Sequence, residues 1–139
     1  MEIRREIETD QVFFRTAPGS QVLAMGNLET DGDRVAVTKS PNGRVLRAWV
    51  RNALILREAG FSGAMTFRAD RKLTFLIDSD AGGVSVEADS DQRTAISLKV
   101  ARRPRTVLLD GASVRHAYDD RTGMVRLTLP VGSHTITAR

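Results

Sequence analysis

Residues 83–100 read Gly83-Val-Ser-Val-Glu-Ala-Asp-Ser-Asp-Gln-Arg-Thr-Ala-Ile-Ser-Leu-Lys-Val100. Val84, Val86 and Ala88 alternate with Ser85 and Glu87, and Ile96, Leu98 and Val100 alternate with Ser97 and Lys99. Strict alternation of apolar and polar residues marks a half-buried strand, with one face on a core and one in water. Farther on, Val125, Leu127 and Leu129 alternate with Arg126 and Thr128 in the same way.

Turn formers punctuate this pattern at short intervals: Asp31-Gly32, Pro41-Asn42-Gly43, Ala81-Gly82-Gly83, Asp110-Gly111, Thr122-Gly123 and Val131-Gly132. The spacing predicts strands over 3–8, 11–16, 20–26, 33–39, 44–51, 53–58, 63–69, 72–78, 83–89, 94–101, 105–110, 112–118, 123–129 and 132–138. Residues 44–59 also fit helical spacing through Leu46, Trp49, Ala53 and Leu56, with Gly60 as a stop. The turn at Ser40-Pro-Asn-Gly43 and the surrounding β pattern favour strand there. The expected fold is all-β: a two-sheet antiparallel β-sandwich of about 12–14 short strands. Residues 1–139 are expected to form a single domain, because no linker, low-complexity tract or internal repeat divides them.

Composition bounds the chemistry. There is no cysteine, which excludes thiol catalysis, disulfides and every Cys-ligated metal site. The net charge is +4, from 21 Lys+Arg against 17 Asp+Glu, and only Lys39, Lys72 and Lys99 are lysines. The arginines alternate with apolar residues and do not form a block, so no nucleic-acid partner is expected. Arg102-Arg103-Pro104-Arg105, the densest cluster, reads as a solvated loop. No apolar run approaches the roughly 18 residues that span a membrane, and no leader pattern opens the chain, so no membrane partner is expected.

Candidate chemical groups are sparse. His134 adjoins Ser133, but neighbours on a strand point to opposite faces, so the two make no Ser–His pair. His116 and His134 could meet across paired strands, yet a metal site would need a third ligand. Asp31/Asp33, Asp78/Asp80, Asp89/Asp91 and Asp119/Asp120 fall at expected turns, where aspartate acts by its own side-chain hydrogen bonds. They lack the calcium-loop spacing. No catalytic residue, metal ligand or cofactor is therefore assigned. Sugars stack on flat aromatic faces; Phe67 and Phe75 read as core, which leaves Trp49 and Tyr118 as the plausible platforms. Arg47 and Arg51 flank Trp49 on its own face and could pair with carboxylate or sulfate.

The last third contains Pro104-Arg-Thr-Val-Leu-Leu-Asp-Gly111, Val114, Tyr118-Asp119-Asp120, Thr122-Gly123-Met-Val-Arg-Leu-Thr-Leu-Pro130 and Gly132-Ser-His-Thr-Ile-Thr137. It resembles the closing strands of C-terminal β-sandwich domains in bacterial polysaccharide-active enzymes, the heparinase II/III-like polysaccharide lyases among them. Gly32-Asp-Arg-Val-Ala-Val37, Ser40-Pro-Asn-Gly-Arg-Val-Leu-Arg-Ala-Trp49 and Ala53-Leu-Ile-Leu-Arg-Glu-Ala-Gly60 resemble their hairpins. The resemblance implies a non-catalytic accessory domain of a secreted or periplasmic polysaccharide-degrading enzyme. Such a domain packs on a catalytic domain of the same parent chain, and contact with acidic polysaccharide is a further expectation. Two alternatives stay open at this point. One is a carbohydrate-binding module using Trp49 and Tyr118. The other is a structural or protein-interaction sandwich using Phe13-Phe14.

Overall fold

The computed structural model describes residues 3–4, 9–14, 23–25, 28–59 and 65–139. Among them every regular element is a strand. In chain order these are β1 (Ile3–Arg4), β2 (Thr9–Phe14), β3 (Leu23–Met25), β4 (Leu28–Thr30), β5 (Arg34–Lys39), β6 (Val45–Glu58) and β7 (Thr66–Asp80). Then follow β8 (Gly83–Ser90), β9 (Thr94–Lys99), β10 (Val107–Leu109), β11 (Ala112–Ser113), β12 (Ala117–Asp119), β13 (Met124–Leu129) and β14 (Gly132–Ala138).

All fourteen strands belong to one antiparallel hydrogen-bonded network, which curls into a half-barrel. The expectation of two separate sheets meets a different connectivity, and the reason lies in β6 and β7. Each was expected as two short strands, yet each runs unbroken for 14 and 15 residues. Their hairpin is the trunk from which the sheet branches. On one branch β6 carries β5, β2 and β1 while β7 carries β8, β14, β10 and β11. On the other, β6 carries β4 and β3 while β7 carries β9, β13 and β12.

Both trunk strands turn a corner between the branches. The β6–β7 register skips between Val50 and Ala53 and again between Ala53 and Ile55. Irregularities of this kind are how strands bend from one layer to another. Asn52 sits in the corner at φ 57°, a left-handed backbone that asparagine tolerates better than most residues. On β7 the corner is the exposed run Asp70-Arg71-Lys72. The sharpness of the bend is seen in Phe67 and Phe75. Eight residues of straight strand would separate them by about 26 Å. Their ring centroids are 4.1 Å apart.

A strap of residues 30–33 holds the β6 corner. The Asp31 carboxylate accepts the N–H groups of Leu54 and Ile55 at 2.9 and 3.0 Å. The Thr30 hydroxyl donates to the Ile55 carbonyl at 2.7 Å, and the Asp33 N–H donates to the Arg51 carbonyl at 3.1 Å. Gly32 lies so close to β6 that an added Cβ would fall 2.5 Å from Val50 Cγ1.

The core is one cluster drawn from both branches, among them Val35, Val50, Leu56, Phe67, Phe75, Val86, Leu98, Val125 and Ile136. The alternation read over 84–88, 96–100 and 125–129 is realised, with each apolar member buried. Fully burying one such side chain contributes about 1.5–3 kcal/mol. Residues 45–58 are strand and not helix. The strand expected over 112–118 divides into β11 and β12, because residues 114–116 leave the ladder. Expected strand residues 5–8, 15–16, 20–22, 26 and 63–64 lie outside the described residues.

Candidate functional site

Alternation places every second residue of a strand on the outer face, and register then decides which outer residues become neighbours. On the β7–β9–β13–β12 branch, Arg68 pairs with Ser97, Ser97 with Arg126, and Arg126 with Ala117. Two guanidinium-bearing residues thus flank one hydroxyl in a row across three strands, with about 10 Å between the arginine backbones at the usual strand spacing. A broad open groove of about 790 Å³ runs over this row and is bordered also by Arg93, Arg115 and His116. A second groove of about 330 Å³ shares Arg68, Ser97 and Arg126 and adds Arg57 and Lys99.

This face is basic in effect as well as in count. Among the described residues Arg68, Arg93, Lys99, Arg115 and Arg126 make no ion pair. Arg57 does, to Glu29 at 2.6 Å. Asp70, the carboxylate at the groove, accepts the Ala95 N–H at 2.9 Å. Guanidinium groups fork onto carboxylate or sulfate in a bidentate fashion, so the face is chemically suited to a polyanion.

The residues singled out from sequence are distributed differently. Trp49, Arg47 and Arg51 share the outer face of the other branch. Trp49 is 36% exposed and is not a core tryptophan. Arg47 is committed to Asp78 through two hydrogen bonds of 2.6 and 3.1 Å, and Arg51 to Asp33 through two of 2.7 and 3.0 Å. These bonds hold the Asp33 carboxyl below its ordinary pKa and raise those of Arg47 and Arg51. Tyr118 lies on β12, half-buried against the core, with the Arg103 guanidinium 5.7 Å from its ring centroid. Trp49 and Tyr118 therefore stand on different branches and do not make one platform. The side chains of Phe13 and Phe14 lie outside the described residues.

His116 and His134 border different grooves. Nδ1 of His116 faces the Val114 carbonyl at 3.0 Å. His134 donates from Nδ1 to Asp110 at 2.7 Å and faces the Val131 carbonyl through Nε2 at 3.1 Å. With both ring nitrogens opposite acceptors, the imidazolium is favoured, and the pKa of His134 is raised, first by Asp110 and then by Val131. The hydrogen bond from His134 likewise lowers Asp110. Asp110 also accepts the Thr135 N–H at 2.8 Å, and with Gly111 it takes the left-handed backbone of a tight hairpin turn. Ser133 donates to Asp89 at 3.1 Å, away from His134.

The acidic pairs are only partly turn residues. Asp78 and Asp89 lie within β7 and β8 and face outward, and Asp119 ends β12. Asp80 caps its turn by accepting the Gly82 and Gly83 N–H groups at 2.7 and 3.0 Å. Asp119 accepts the Arg121 N–H at 2.9 Å. Among the described residues two carboxylates are buried, Asp31 in the strap and Glu58 at the end of β6, and both accept backbone N–H groups. Each is thereby occupied in holding the chain.

The basic row was missed in the sequence because Arg68 and Arg126 are 58 residues apart and meet only through their shared neighbour Ser97. The available signal was that both occupy polar positions of alternating strands. No protein-family model matches the chain, and no curated protein matches it.

Proposed function

We propose that the chain is a non-catalytic accessory β domain of a secreted or periplasmic polysaccharide-degrading enzyme, similar to those of the heparinase II/III-like group. In this reading it packs on the catalytic domain of the same parent chain, and its basic outer face contacts acidic polysaccharide. The two branches then act as the face-to-face layers of a sandwich, an arrangement favoured by their shared core and by the doubled-back trunk strands.

The observation that carries the reading is the Arg68–Ser97–Arg126 row in its groove, where arginines without ion-pair partners among the described residues outnumber the carboxylates. An acidic polymer offers repeating anions along one line, and a row of arginines about 10 Å apart receives them without rearranging the sheet.

The test is a titration of the chain with a sulfated glycan, a polyuronate and a neutral glucan at low and high salt. The acidic polymers bind, the neutral one does not, and binding fades as the Debye length falls below about 8 Å. Arg68→Ala with Arg126→Ala abolishes most of the binding at an unchanged melting temperature. Salt-insensitive binding of the neutral glucan overturns the reading. So does equal or tighter binding of duplex DNA, or polysaccharide turnover that survives repurification.

A further inference from the structure

The other branch carries a groove of opposite character. Ala36, Trp49, Leu76, Glu87 and Thr135 stand in one register row across β5, β6, β7, β8 and β14. The solvent-open indole of Trp49 is thus followed by an apolar floor at Leu76 and then by the exposed Glu87 carboxylate. The row opens into a groove of about 340 Å³, walled beyond Glu87 by Asp89, Ser133 and His134.

Charge around this groove is unbalanced. Arg47 spends its fork on Asp78, Arg51 on Asp33, and His134 on Asp110. Arg47 lies within electrostatic range of Glu87 but does not hydrogen-bond to it. His134, the cation in the groove wall, has a carboxylate of its own, as do Arg47 and Arg51 beside Trp49, and among the described residues Glu87 and Asp89 make no ion pair. Asp89 is engaged by the Ser133 hydroxyl through one oxygen. Glu87 makes no side-chain hydrogen bond among the described residues.

We propose that this groove binds an amino sugar bearing a free amine. The apolar face of the pyranose ring lies on Trp49 and over Leu76, and the ammonium pairs with Glu87, since Asp89 is already engaged by Ser133. Two strand spacings, about 10 Å, separate the Trp49 and Glu87 backbones, which leaves room for one ring between indole and carboxylate. An aromatic face and a carboxylate both attract a cation, and the indole does so best among side chains. The hydroxyls of Ser133 and Thr135 lie along the same wall to meet those of the sugar. The proposal is independent of the basic face: it concerns the other branch and a ligand of opposite charge.

Trp49 is the sole tryptophan of the chain, so intrinsic fluorescence reports from the groove itself. The intact chain is titrated with glucosamine oligomers, N-acetylglucosamine oligomers of equal length, glucose oligomers and an aliphatic diamine. The glucosamine oligomer gives a saturable change in emission, the acetylated and glucose oligomers bind at least about tenfold more weakly for want of the charge-assisted contact, and the diamine binds more weakly for want of a ring to stack on Trp49. Glu87→Gln weakens glucosamine binding by about tenfold at an unchanged melting temperature, and Arg68→Ala leaves it intact. Equal affinity for the acetylated oligomer, for the glucose oligomer or for the diamine overturns the proposal. So does wild-type affinity in Glu87→Gln, or an emission spectrum unmoved by the glucosamine oligomer.

Discussion

The Glu58 carboxylate accepts the backbone N–H of Val45 at 2.5 Å, although these two residues are the opposite ends of one strand. Thirteen residues of straight strand would hold them about 43 Å apart. The strand instead doubles back through the corner at Asn52, and its last side chain returns to its first amide. The other Glu58 oxygen accepts the Met65 N–H at 3.2 Å, and the Glu58 N–H donates to the Met65 carbonyl at 2.8 Å. A carboxylate only 3% exposed is thus the clasp of the curl.

Removing that clasp strands two amides at once. Each buried donor left without an acceptor costs about 1–3 kcal/mol. Glu58→Ala therefore lowers the melting temperature by about 6 °C or more, given about 3–5 °C per kcal/mol for a domain of this size. Glu58→Gln keeps one acceptor oxygen and falls between. Differential scanning calorimetry decides, and a Glu58→Ala protein melting within about 2 °C of wild type removes Glu58 from the closure.

The corner itself has little room. A methyl at Gly32 meets Val50 Cγ1 at 2.5 Å and the Arg51 carbonyl oxygen at 3.0 Å, and the latter is backbone that the strap itself uses. Gly32→Ala is expected to cost about 1–3 kcal/mol by overpacking. At Asn52 the backbone and not the space is limiting. Asn52→Gly is nearly neutral, while Asn52→Val costs about 1–2 kcal/mol for a β-branched residue at positive φ. In urea melts Gly32→Ala and Asn52→Val should both fall below Asn52→Gly, and a tolerant Asn52→Val would mean that the corner relaxes.

Much of this fold is written locally, and the corners show where local reading stops. The alternation at Val84–Ala88 or Val125–Leu129 states both strand and facing. At Arg51-Asn52 and at Asp70-Arg71-Lys72 the alternation lapses, and a lapse reads equally as the end of a strand or as its bend. Only the pairing of Ala53 with Leu73 and of Ile55 with Arg68 tells the two apart. The facing of Trp49 is hard to read locally for a related reason: Leu46 and Arg47 are consecutive exposed residues beside a register shift, which breaks the parity count leading to the indole. Arg47 and Arg51 were legible as cations on the face of Trp49. Their commitment to Asp78 and Asp33 was not, because those partners lie 31 and 18 residues away in the chain.

Added calcium should find little to bind among the aspartates. Asp31 and Asp80 are spent on backbone amides, Asp33 and Asp78 on arginines, and Asp119 on the Arg121 amide. A site filled to a hundredfold excess over its dissociation constant would contribute about 2.7 kcal/mol. Millimolar Ca²⁺ is expected to move the melting temperature by less than about 1 °C, and a rise of several degrees would reassign one of these carboxylates as a ligand.

The His134–Asp110 pair makes stability depend on pH in a direction that the geometry determines. His134 is raised above its ordinary 6.5, so its contribution is fully present below about pH 6.5 and is lost as pH climbs through the raised value. Asp110 is lowered below its ordinary 3.8, so its contribution is present above that value and is lost as pH falls through the depressed one. The pair is therefore strongest between about pH 4 and 6.5. His134→Gln removes the charge and keeps a hydrogen-bonding group. The melting-temperature gap between wild type and His134→Gln should be widest near pH 5.5 and narrow markedly by pH 9. In an Asp110→Asn background the gap should lose most of this pH dependence, because the first of the two groups that favour the imidazolium is gone and only the Val131 carbonyl remains. The turn amide of Thr135, which Asp110 also accepts, makes Asp110→Asn less stable at every pH, and so the comparison is made within each background. A gap of equal size at pH 5.5 and pH 9 would show that His134 contributes by packing alone and carries no charge in the folded protein.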